Sequence, residues 1–403
     1  MQNFNLYNPV NVIFGAGESR NTGKYAAKLG KKALLVSYSD TTPFRALLEA
    51  VTASLNENGV SCIPFFRMQA NPLLSHIKEG IALCRTEGIE LCIAVGGGSV
   101  MDATKAIAAG TLYEGDPWKM FISRHDREVA LPPEKTLPTI MIPTIPATSS
   151  EMNNIAVATN DETTEKAYIF TNTLYPKYAI MDPAVTCTLP PFQTAVGAVD
   201  AMSHVLEAYL NGDQFSPLQD RLHEGILVTI MDELRKVLRD PTNVEHRANL
   251  QWAATLSWNG YIQSGLNAPT PRHQLGHVRS ALCYTTHGVT LAIGMDSYFR
   301  YTCTLNEERA ARFALLGQKI FGIDRTGRDD RDAAIETADR IVSFMDEVGV
   351  PHRLSAAGIP TDEKTLEKIA DEIVAHGCDA EGFLPSIPPI GKDGILKILN
   401  MAK

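Results

Sequence analysis

Two stretches in the second half of the sequence have residue types and spacings that suit a metal ion. Asp200 and His204 lie four residues apart in AVGAVDAMSHVLEAYL, a run with helical periodicity, so both side chains face one side of a helix. The later stretch PRHQLGHVRSALCYTTHG contains His273, His277 and His287. A carboxylate with several neutral imidazoles is a suitable ligand set for a divalent transition metal such as iron or zinc.

Each stretch also has a simpler explanation. An acid and a histidine four residues apart on a helix more commonly share a hydrogen bond than a metal ion. Both stretches are rich in apolar and small residues, which predicts burial, and buried imidazoles and carboxylates without partners are costly. The gathering of these groups favours a metal ion, but the residues alone leave both explanations open.

A glycine run indicates a second candidate site. Gly96, Gly97, Gly98 and Ser99 follow ELCIAV at 90–95, the strongest strand pattern in the sequence, and a helix is predicted directly after them. In a strand–loop–helix context, free backbone N–H groups and the helix dipole hold a phosphate. The alternative is a tight turn, but doubly wound sheets bind ligands at the carboxyl ends of their strands, which favours phosphate. The run lacks the Gly-Lys-Ser/Thr ending of a P-loop, so phosphoryl transfer is not expected.

Polar residues follow other predicted strands. Thr144 and Thr148 lie in PTIPATSSEMNN, where they either cap a helix or contact a ribose and a phosphate. Lys166 is a solvated surface lysine or a ligand contact. Asp40 follows the second strand, where a carboxylate can bond a ribose 2′-hydroxyl and repel a 2′-phosphate, so it favours NAD(H) over NADP(H).

Composition limits the partners and the compartment. The net charge of -9 argues against nucleic acid and against an anionic membrane surface. The N-terminal residues have no signal-peptide pattern, and no stretch reaches the roughly 18 apolar residues that a membrane span needs. The seven cysteines are dispersed without a CxxC pair, which is typical of a reducing environment. We therefore expect a cytoplasmic protein whose partners are small molecules.

The periodicity of apolar residues changes near the middle of the chain. Up to that point short β-branched runs alternate with helical stretches, as in a parallel sheet with crossover helices. Strands are predicted at 11–15, 31–37, 62–66, 90–95, 136–144 and 177–182, and helices at 21–29, 42–58 and 74–87. Beyond Pro190 and Pro191 the pattern is helical, most clearly at 222–240 and 247–266. The sequence thus predicts an α/β dinucleotide-binding domain at 1–188 and an all-helical metal-binding domain at 189–403.

These motifs together resemble one family. The glycine run with Asp102, a Thr-x-x-x-Thr-x-Ser-Glu run at 144–151, Asp-Pro at 182–183 and the histidine pattern resemble the iron-dependent (group III) alcohol dehydrogenases over essentially the whole chain. DPW at 116–118, DRLHEGIL at 220–227 and RANLQWAAT at 247–255 resemble its butanol-dehydrogenase-like aldehyde reductases. The resemblance implies a Rossmann-like α/β domain joined to an all-helical domain, the dehydroquinate synthase-like fold. It also implies a homodimer that transfers hydride between a nicotinamide and a metal-held carbonyl.

The resemblance assigns roles to individual residues. The implied ligands of one divalent metal, Fe2+ before Zn2+ or Mn2+, are Asp200, His204, His273 and His287. The implied catalytic residues are His277, on a proton path beside the substrate, and Asp102, beside the nicotinamide ribose. The implied cofactor contacts are Gly97, Gly98, Ser99, Asp102, Thr144, Thr148 and Lys166, with Thr148 also near the substrate. Ser149 departs from the family pattern, which has a glycine there.

An arginine next to a metal ligand raises the question of substrate charge. Arg272 directly precedes His273, and Arg279 follows seven residues later, which places both guanidinium groups on one side of a helix. A buried guanidinium near the metal would suit an anion, so one hypothesis is a short aldehyde with an anionic end, such as sulfoacetaldehyde or a semialdehyde. If the arginines instead pair with protein carboxylates or face solvent, a broad-range reductase of neutral aldehydes such as butanal is expected.

Two other enzyme classes remain as alternatives. A metal-dependent hydrolase would use the same aspartate and histidines to activate water, but it leaves the glycine run unexplained. A dehydroquinate-synthase-like lyase also pairs a nucleotide with a metal, but it uses a different set of basic residues at its substrate.

Overall fold

The computed structural model describes residues 1–122, 130–211, 216–283 and 285–403. Its strands are β1 (Asn11–Phe14), β2 (Lys32–Tyr38), β3 (Ser61–Met68), β4 (Leu91–Gly96), β5 (Thr139–Pro143), β6 (Ile155–Thr159), β7 (Lys166–Phe170) and β8 (Tyr178–Met181). Six of them form a parallel sheet in the order β1-β8-β5-β4-β2-β3. Every residue of the central strands β4 and β5 is buried, as expected for apolar runs covered on both faces.

Helices cover both faces of this sheet. They are α1 (Thr22–Ala26), α2 (Arg45–Glu57), α3 (Leu74–Glu87) and α4 (Gly98–Leu112). Alternate residues of β2 point to opposite faces: Leu34 belongs to the apolar cluster of Ile77 on α3, and Leu35 to that of Val51 on α2. The predicted doubly wound arrangement is confirmed.

The strand order reverses between β2 and β4, because β3 continues the sheet on one side and β5 on the other. The helices that follow these two strands, α2 and α4, pack on opposite faces. A crevice forms at such a switch point, outside the carboxyl ends of the strands. Asp40 follows β2 and Gly97 follows β4, so the sheet brings these two predicted cofactor residues to one edge.

The hairpin of β6 and β7 was not predicted from the sequence. Ile155 pairs with Phe170 and Thr159 with Lys166 in a separate two-stranded antiparallel sheet. Both strands are five residues long, and alanine, a weak strand former, occupies two positions in β6 and one in β7. This composition explains why the pattern at 155–170 gave no strand signal.

After Pro191 the described residues contain helices and no strand. They are α5 (Pro191–Asn211), α6 (Pro217–Arg239), α7 (Val244–Leu256), α8 (Pro271–Cys283), α9 (His287–Ala292), α10 (Met295–Leu305), α11 (Glu307–Phe321), α12 (Asp330–Glu347), α13 (Glu363–Gly377) and α14 (Lys392–Met401). Among the described helices, none is long and apolar enough to cross a membrane. The predicted all-helical second half is confirmed.

The helix predicted at 247–266 is shorter in the structure. Helix α7 ends at Leu256, and turns follow to residue 265. Gly260 has φ +95°, which is left-handed, and Asn259 accepts the Tyr261 N–H at 3.1 Å through its side chain. Local asparagine bonds and a left-handed glycine compete with helix in spite of the apolar periodicity.

The chain divides into two compact units. The first, called the sheet unit, comprises Leu6–Thr194 and Arg239–Thr255; the second, called the helical unit, comprises Met1–Asn5, Ala195–Leu238 and Leu256–Lys403. Helix α7 therefore belongs with the sheet, although it lies beyond residue 188. Its buried Arg247 donates to Thr194 Oγ1 at 2.9 Å, and Trp252 meets Phe14 edge-on with ring centroids 6.0 Å apart.

A glycine between two helices of the helical unit allows a direct stability test. A Cβ at Gly317 on α11 would overlap Thr337 Oγ1 on α12, and Thr337 is fully buried. We expect Gly317→Ala to lower the melting temperature by about 2–8 °C, because overpacking costs about 1–3 kcal/mol. The matched control is Gly225→Ala on α6, where a Cβ has no neighbour within 4 Å and higher helix propensity should stabilise the protein slightly. Equal melting temperatures for the two variants would contradict this packing.

Candidate active site

Helices α5 and α8 bring three of the predicted metal ligands together. Asp200 and His204 lie one turn apart on α5, with Asp200 Oδ1 3.9 Å from His204 Nε2. His273 on α8 completes a buried group in which one ligand atom from each residue lies within 4.8 Å of the others. The rings of His204 and His273 are stacked, with centroids 4.7 Å apart.

His287, the fourth predicted ligand, approaches from a different helix. It is the first residue of α9, and its Nε2 lies 3.9 Å from Asp200 Oδ1, although it is outside the group of three. The next residue explains how α9 comes so close. A Cβ at Gly288 would overlap the backbone oxygen of Val196 on α5. The absence of a side chain at residue 288 therefore lets the start of α9 lie against α5, beside Asp200.

The chemistry of these donors fits a divalent metal. Burial lowers the pKa of His204 well below its usual value, and the neighbouring His273 and Arg272 lower it further, so its imidazole is neutral. The Nδ1 of His273 is bonded to Glu207, whereas its buried Nε2 has no hydrogen-bond partner among the described residues. An imidazole nitrogen that is buried without a partner is costly, and a metal ion would satisfy it. Iron, zinc and manganese all accept this ligand set.

Two aromatic side chains border the metal-ligand group. The ring of His277, one turn after His273 on α8, lies 5.3 Å from that of His287, and the side chain is half-buried. It is near the ligands without belonging to the group of three. Trp258 stacks on His204 at a centroid distance of 5.4 Å, and it covers that side of the histidine with an apolar surface. Trp258 was missed because it comes from a turn-rich segment without a motif.

The glycine loop is tightly packed against its own surroundings. Strand β4 ends at Gly96, and α4 begins at Gly98, two residues earlier than predicted. A Cβ at Gly97 would lie 2.6 Å from Ile145 Cγ2 and 2.9 Å from Tyr38 Oη. The Gly97 N–H donates to Tyr38 Oη at 3.3 Å. Glycine is therefore required here by packing, whether or not the loop also holds a phosphate.

A polar chain leads from the loop to the hairpin. Ser99 Oγ accepts the N–H of Asn71 at 3.2 Å, and Asn71 Oδ1 accepts Lys166 Nζ at 2.9 Å. Asn71 has φ 58°, a left-handed conformation that asparagine tolerates better than most residues. Lys166 therefore lies in a network beside the loop. The sequence motifs did not include Asn71.

Asp102 is held at both carboxylate oxygens. Its Oδ1 accepts from Ser150 Oγ at 2.6 Å, and its Oδ2 accepts from the Val157 N–H at 3.1 Å. Burial raises the pKa of Asp102, and the nearby Lys105 acts against this rise. Lys105 is fully buried and donates to Asn153 and to the Ile155 carbonyl, and its burial lowers its pKa to about 8. These contacts attach α4 to the segment that leads into the hairpin.

The remaining predicted cofactor residues lie around the same edge of the sheet. Thr148 Oγ1 accepts the Ser150 N–H at 3.2 Å, which is the local capping role considered from the sequence. A Cβ at Gly98 would lie 2.5 Å from Thr148 Cγ2. Thr144 is buried next to β5, and its N–H donates to the Gly96 carbonyl at 3.0 Å. Asp40 is exposed and accepts a hydrogen bond from the Thr42 N–H. This bond lowers the pKa of Asp40, so its side chain carries a negative charge.

Arg272 and Arg279 both reach helix α9. Arg272 Nη2 donates to the Leu291 carbonyl at 2.5 Å, and its guanidinium lies 5.2 Å from the centroid of the Phe299 ring. Arg279 Nη2 donates to the carbonyls of Thr290 and Ile293, at 2.6 and 3.2 Å. Both side chains are buried at 2% exposure. The guanidinium groups thus bond main-chain carbonyls at the end of α9, an arrangement that neither sequence hypothesis had included.

The site and the fold together define a class of oxidoreductase with a glycine loop and a buried carboxylate–histidine centre. The family model "Iron-containing alcohol dehydrogenase" matches residues 9–183, and the model "Fe-containing alcohol dehydrogenase family, C-terminal" matches residues 194–402. The chain belongs to the iron-containing alcohol dehydrogenase family. The resemblance inferred from the motifs is confirmed.

Individual relatives cover the whole chain. A probable NADH-dependent butanol dehydrogenase 2 of Bacillus subtilis is 38% identical over 400 residues, 99% of each chain. The NADPH-dependent aldehyde reductase YqhD of Escherichia coli is 32% identical over 94% of each chain. The crystal structure of NADH-dependent butanol dehydrogenase A from Thermotoga maritima superposes with a TM-score of 0.91 at 34% identity, over 100% of this chain and 99% of that one.

The close approach at Gly288 gives a test of how the fourth ligand is placed. We expect Gly288→Ala to displace the start of α9 and His287 with it, and so to weaken the binding of Zn2+ by about tenfold or more. Competition with a chromogenic chelator on the metal-free protein measures this change. Gly225→Ala, on an open helix surface, should bind Zn2+ like the wild type. Unchanged affinity in a folded Gly288→Ala variant would show that His287 does not need this approach.

Proposed function

We propose that this protein is an NADH-dependent reductase of short, neutral aldehydes that uses one divalent metal, Fe2+, held by Asp200, His204, His273 and His287. The buried group of Asp200, His204 and His273, with half-buried His287 beside Asp200, is the observation that carries the proposal. The relatives support it, since the Bacillus subtilis protein is a probable NADH-dependent butanol dehydrogenase and the Thermotoga maritima protein is an NADH-dependent butanol dehydrogenase.

The charges of the ligands suit carbonyl chemistry. Asp200, His204, His273 and His287 would hold the divalent metal, which would supply Lewis-acid chemistry for a carbonyl oxygen. Bound to a divalent metal, the imidazoles would contribute no charge and Asp200 one negative charge, so the centre would retain a net positive charge. His277, half-buried beside His287, is placed to pass a proton between the substrate oxygen and solvent. Trp258 keeps water away from the face of His204 on which it stacks.

The sheet unit supplies the dinucleotide side of the proposal. A nicotinamide dinucleotide bound there supplies the hydride. The backbone of Gly97 and Gly98 and the hydroxyl of Ser99 would bind the pyrophosphate at the start of α4, where the helix dipole favours an anion. The side chains of Asp102, Thr144, Thr148 and Lys166 would complete the cofactor contacts. A hydrolase would have no use for this edge of the sheet.

The primary test is reduction of butanal by the metal-loaded protein. We expect NADH to be oxidised when butanal is added, and activity to disappear when a chelator removes the metal and to return when Fe2+ is restored. Hydrolysis of an ester without oxidation of NADH or NADPH would support the hydrolase instead.

Asp40 gives a test of cofactor choice. It is exposed and ionised directly after β2, where its charge would repel a 2′-phosphate. We expect Asp40→Ala to raise the ratio of kcat/KM with NADPH to that with NADH by about tenfold or more, since opposed like charges cost several kcal/mol. Glu57→Ala, an exposed acid at the far end of α2, is the matched control and should leave the ratio unchanged. An unchanged ratio in Asp40→Ala would remove the structural reason for preferring NADH.

The contacts of Arg272 and Arg279 favour a neutral substrate over one with an anionic end. Each guanidinium group donates through Nη2 to main-chain carbonyls of α9 and its end, so this nitrogen is engaged within the protein. Nη1 of Arg272 is buried without a hydrogen-bond partner among the described residues. The hypothesis of sulfoacetaldehyde or a semialdehyde depended on Arg272 meeting the substrate. A buried arginine that stabilises the helix of His287 has a different role. It would affect the reduction of all substrates equally.

Comparison of two aldehydes in Arg272→Ala separates these roles. We expect kcat/KM for butanal and for succinic semialdehyde to fall by the same factor, because the variant loosens α9 and not a substrate contact. Arg221→Ala is the control, since the Arg221 side chain is 61% exposed on α6. A selective loss of about 30-fold or more with the semialdehyde would restore the anionic substrate.

A further inference from the structure

Glu207 is a buried carboxylate next to the candidate metal ligands. It lies on α5, three residues after His204, and its side chain is fully buried. Its two oxygens contact successive residues of α8: Oε1 accepts the Arg272 N–H at 2.6 Å, and Oε2 is bonded to His273 Nδ1. The sequence motifs did not include Glu207, because its partners are more than 60 residues away along the chain.

The first of these contacts anchors the start of a helix. Helix α8 begins at Pro271, which has no N–H, so the N–H of Arg272 is the first one that lacks an acceptor within the helix. A carboxylate at this position satisfies that donor and interacts favourably with the helix dipole. Glu207 therefore fixes the N-terminal turn of α8, which contains His273, to α5, which contains Asp200 and His204.

The second contact determines which nitrogen of His273 can bind a metal. A carboxylate accepts a hydrogen bond, so in a neutral imidazole at this position Nδ1 carries the proton and Nε2 carries the lone pair. The Nε2 atom is buried without a hydrogen-bond partner among the described residues. Hydrogen bonding of the second ring nitrogen to a carboxylate is a general way of fixing the tautomer and raising the basicity of a metal-binding histidine.

The charge of Glu207 is balanced inside the protein. The Arg272 guanidinium is buried nearby. Burial lowers the pKa of Arg272, and the Glu207 carboxylate acts in the opposite direction. The same guanidinium donates to the Leu291 carbonyl on α9. One carboxylate is thus connected to His273 directly and to the helix of His287 through Arg272.

We propose that Glu207 is a positioning residue of the metal centre, which holds His273 as the Nδ1–H tautomer and fixes the start of α8 so that Nε2 is available to the metal. This role rests on the proposed metal site. It does not involve contact between Glu207 and the substrate or the metal.

The test measures metal affinity rather than activity. The dissociation constant for Zn2+ is determined on metal-free protein by chelator competition for the wild type, Glu207→Gln and the control Glu224→Gln. Glu224 is a buried glutamate on α6 that bonds Tyr209 and Arg221, so its variant also loses a buried charge in the helical unit. We expect Glu207→Gln to raise the dissociation constant by about 10- to 100-fold while Glu224→Gln remains within about threefold of the wild type.

A double-mutant cycle shows whether Glu207 acts through His273. In the His273→Ala background the effect of Glu207→Gln should shrink to less than about threefold, because the ring that it positions is gone. A general structural role predicts the same loss in both backgrounds, and that result would overturn the proposal. So would an unchanged dissociation constant in a folded Glu207→Gln variant.

Spectroscopy of the wild type covers the case in which Glu207→Gln does not fold. In Zn2+-loaded protein labelled with 15N-histidine, NMR should show His273 protonated at Nδ1 and bound to the metal through Nε2. Binding through Nδ1 would overturn the proposal. If the wild-type protein binds no Zn2+ through its histidines, the proposed metal centre itself is wrong. If the wild type and Glu207→Gln bind Zn2+ equally well, only the role of Glu207 is wrong.

Discussion

The burial of Asp200 among imidazoles is the constraint on which the rest of this structure depends. Taking a carboxylate out of water is costly unless a cation or several donors compensate for the lost hydration. Here the Nε2 atoms of His204 and His287 each lie 3.9 Å from Asp200 Oδ1. Burial keeps His204 neutral, so its ring acts as a lone-pair donor and not as a counter-ion. A divalent metal at this position would satisfy the carboxylate and the imidazoles together.

Rigid helices keep this arrangement in place. Four polar contacts link the three helices that carry the ligands. Glu207 on α5 makes two of them to α8, and Arg272 and Arg279 on α8 each make one to α9. Since side chains on helices are placed more precisely than those on loops, a site of this kind is largely formed before the metal binds. The close approach of α9 to α5 at Gly288 also contributes, because it lets His287 lie beside Asp200.

Local patterns in the sequence predicted much of this site. A spacing of four residues fixed Asp200 and His204 on one helical face, and the glycine run after a buried strand fixed the position of the loop at Gly97. The six strands of the parallel sheet were predicted for the same reason, since long apolar runs are a strong local signal. The hairpin of β6 and β7 escaped prediction because its short strands carry no such signal.

Contacts between distant residues could not be predicted in this way. Trp258 and Tyr38 reach the two candidate sites from segments without a motif. Glu207 lies in the same stretch as Asp200 and His204, but its partners are more than 60 residues away. The roles of all three follow from the folded chain. Arg272 shows a related limit, because adjacency to His273 in sequence does not determine where its side chain points. Successive side chains on a helix point about 100° apart, and that of Arg272 reaches α9 instead.

X-ray absorption spectroscopy at the metal edge of Zn2+-loaded protein tests the central claim most directly. The account predicts a first shell of nitrogen and oxygen at about 2.0–2.3 Å with three imidazoles, and two imidazoles in the His273→Ala variant. A sulfur ligand, or an unchanged imidazole count in His273→Ala, would contradict it.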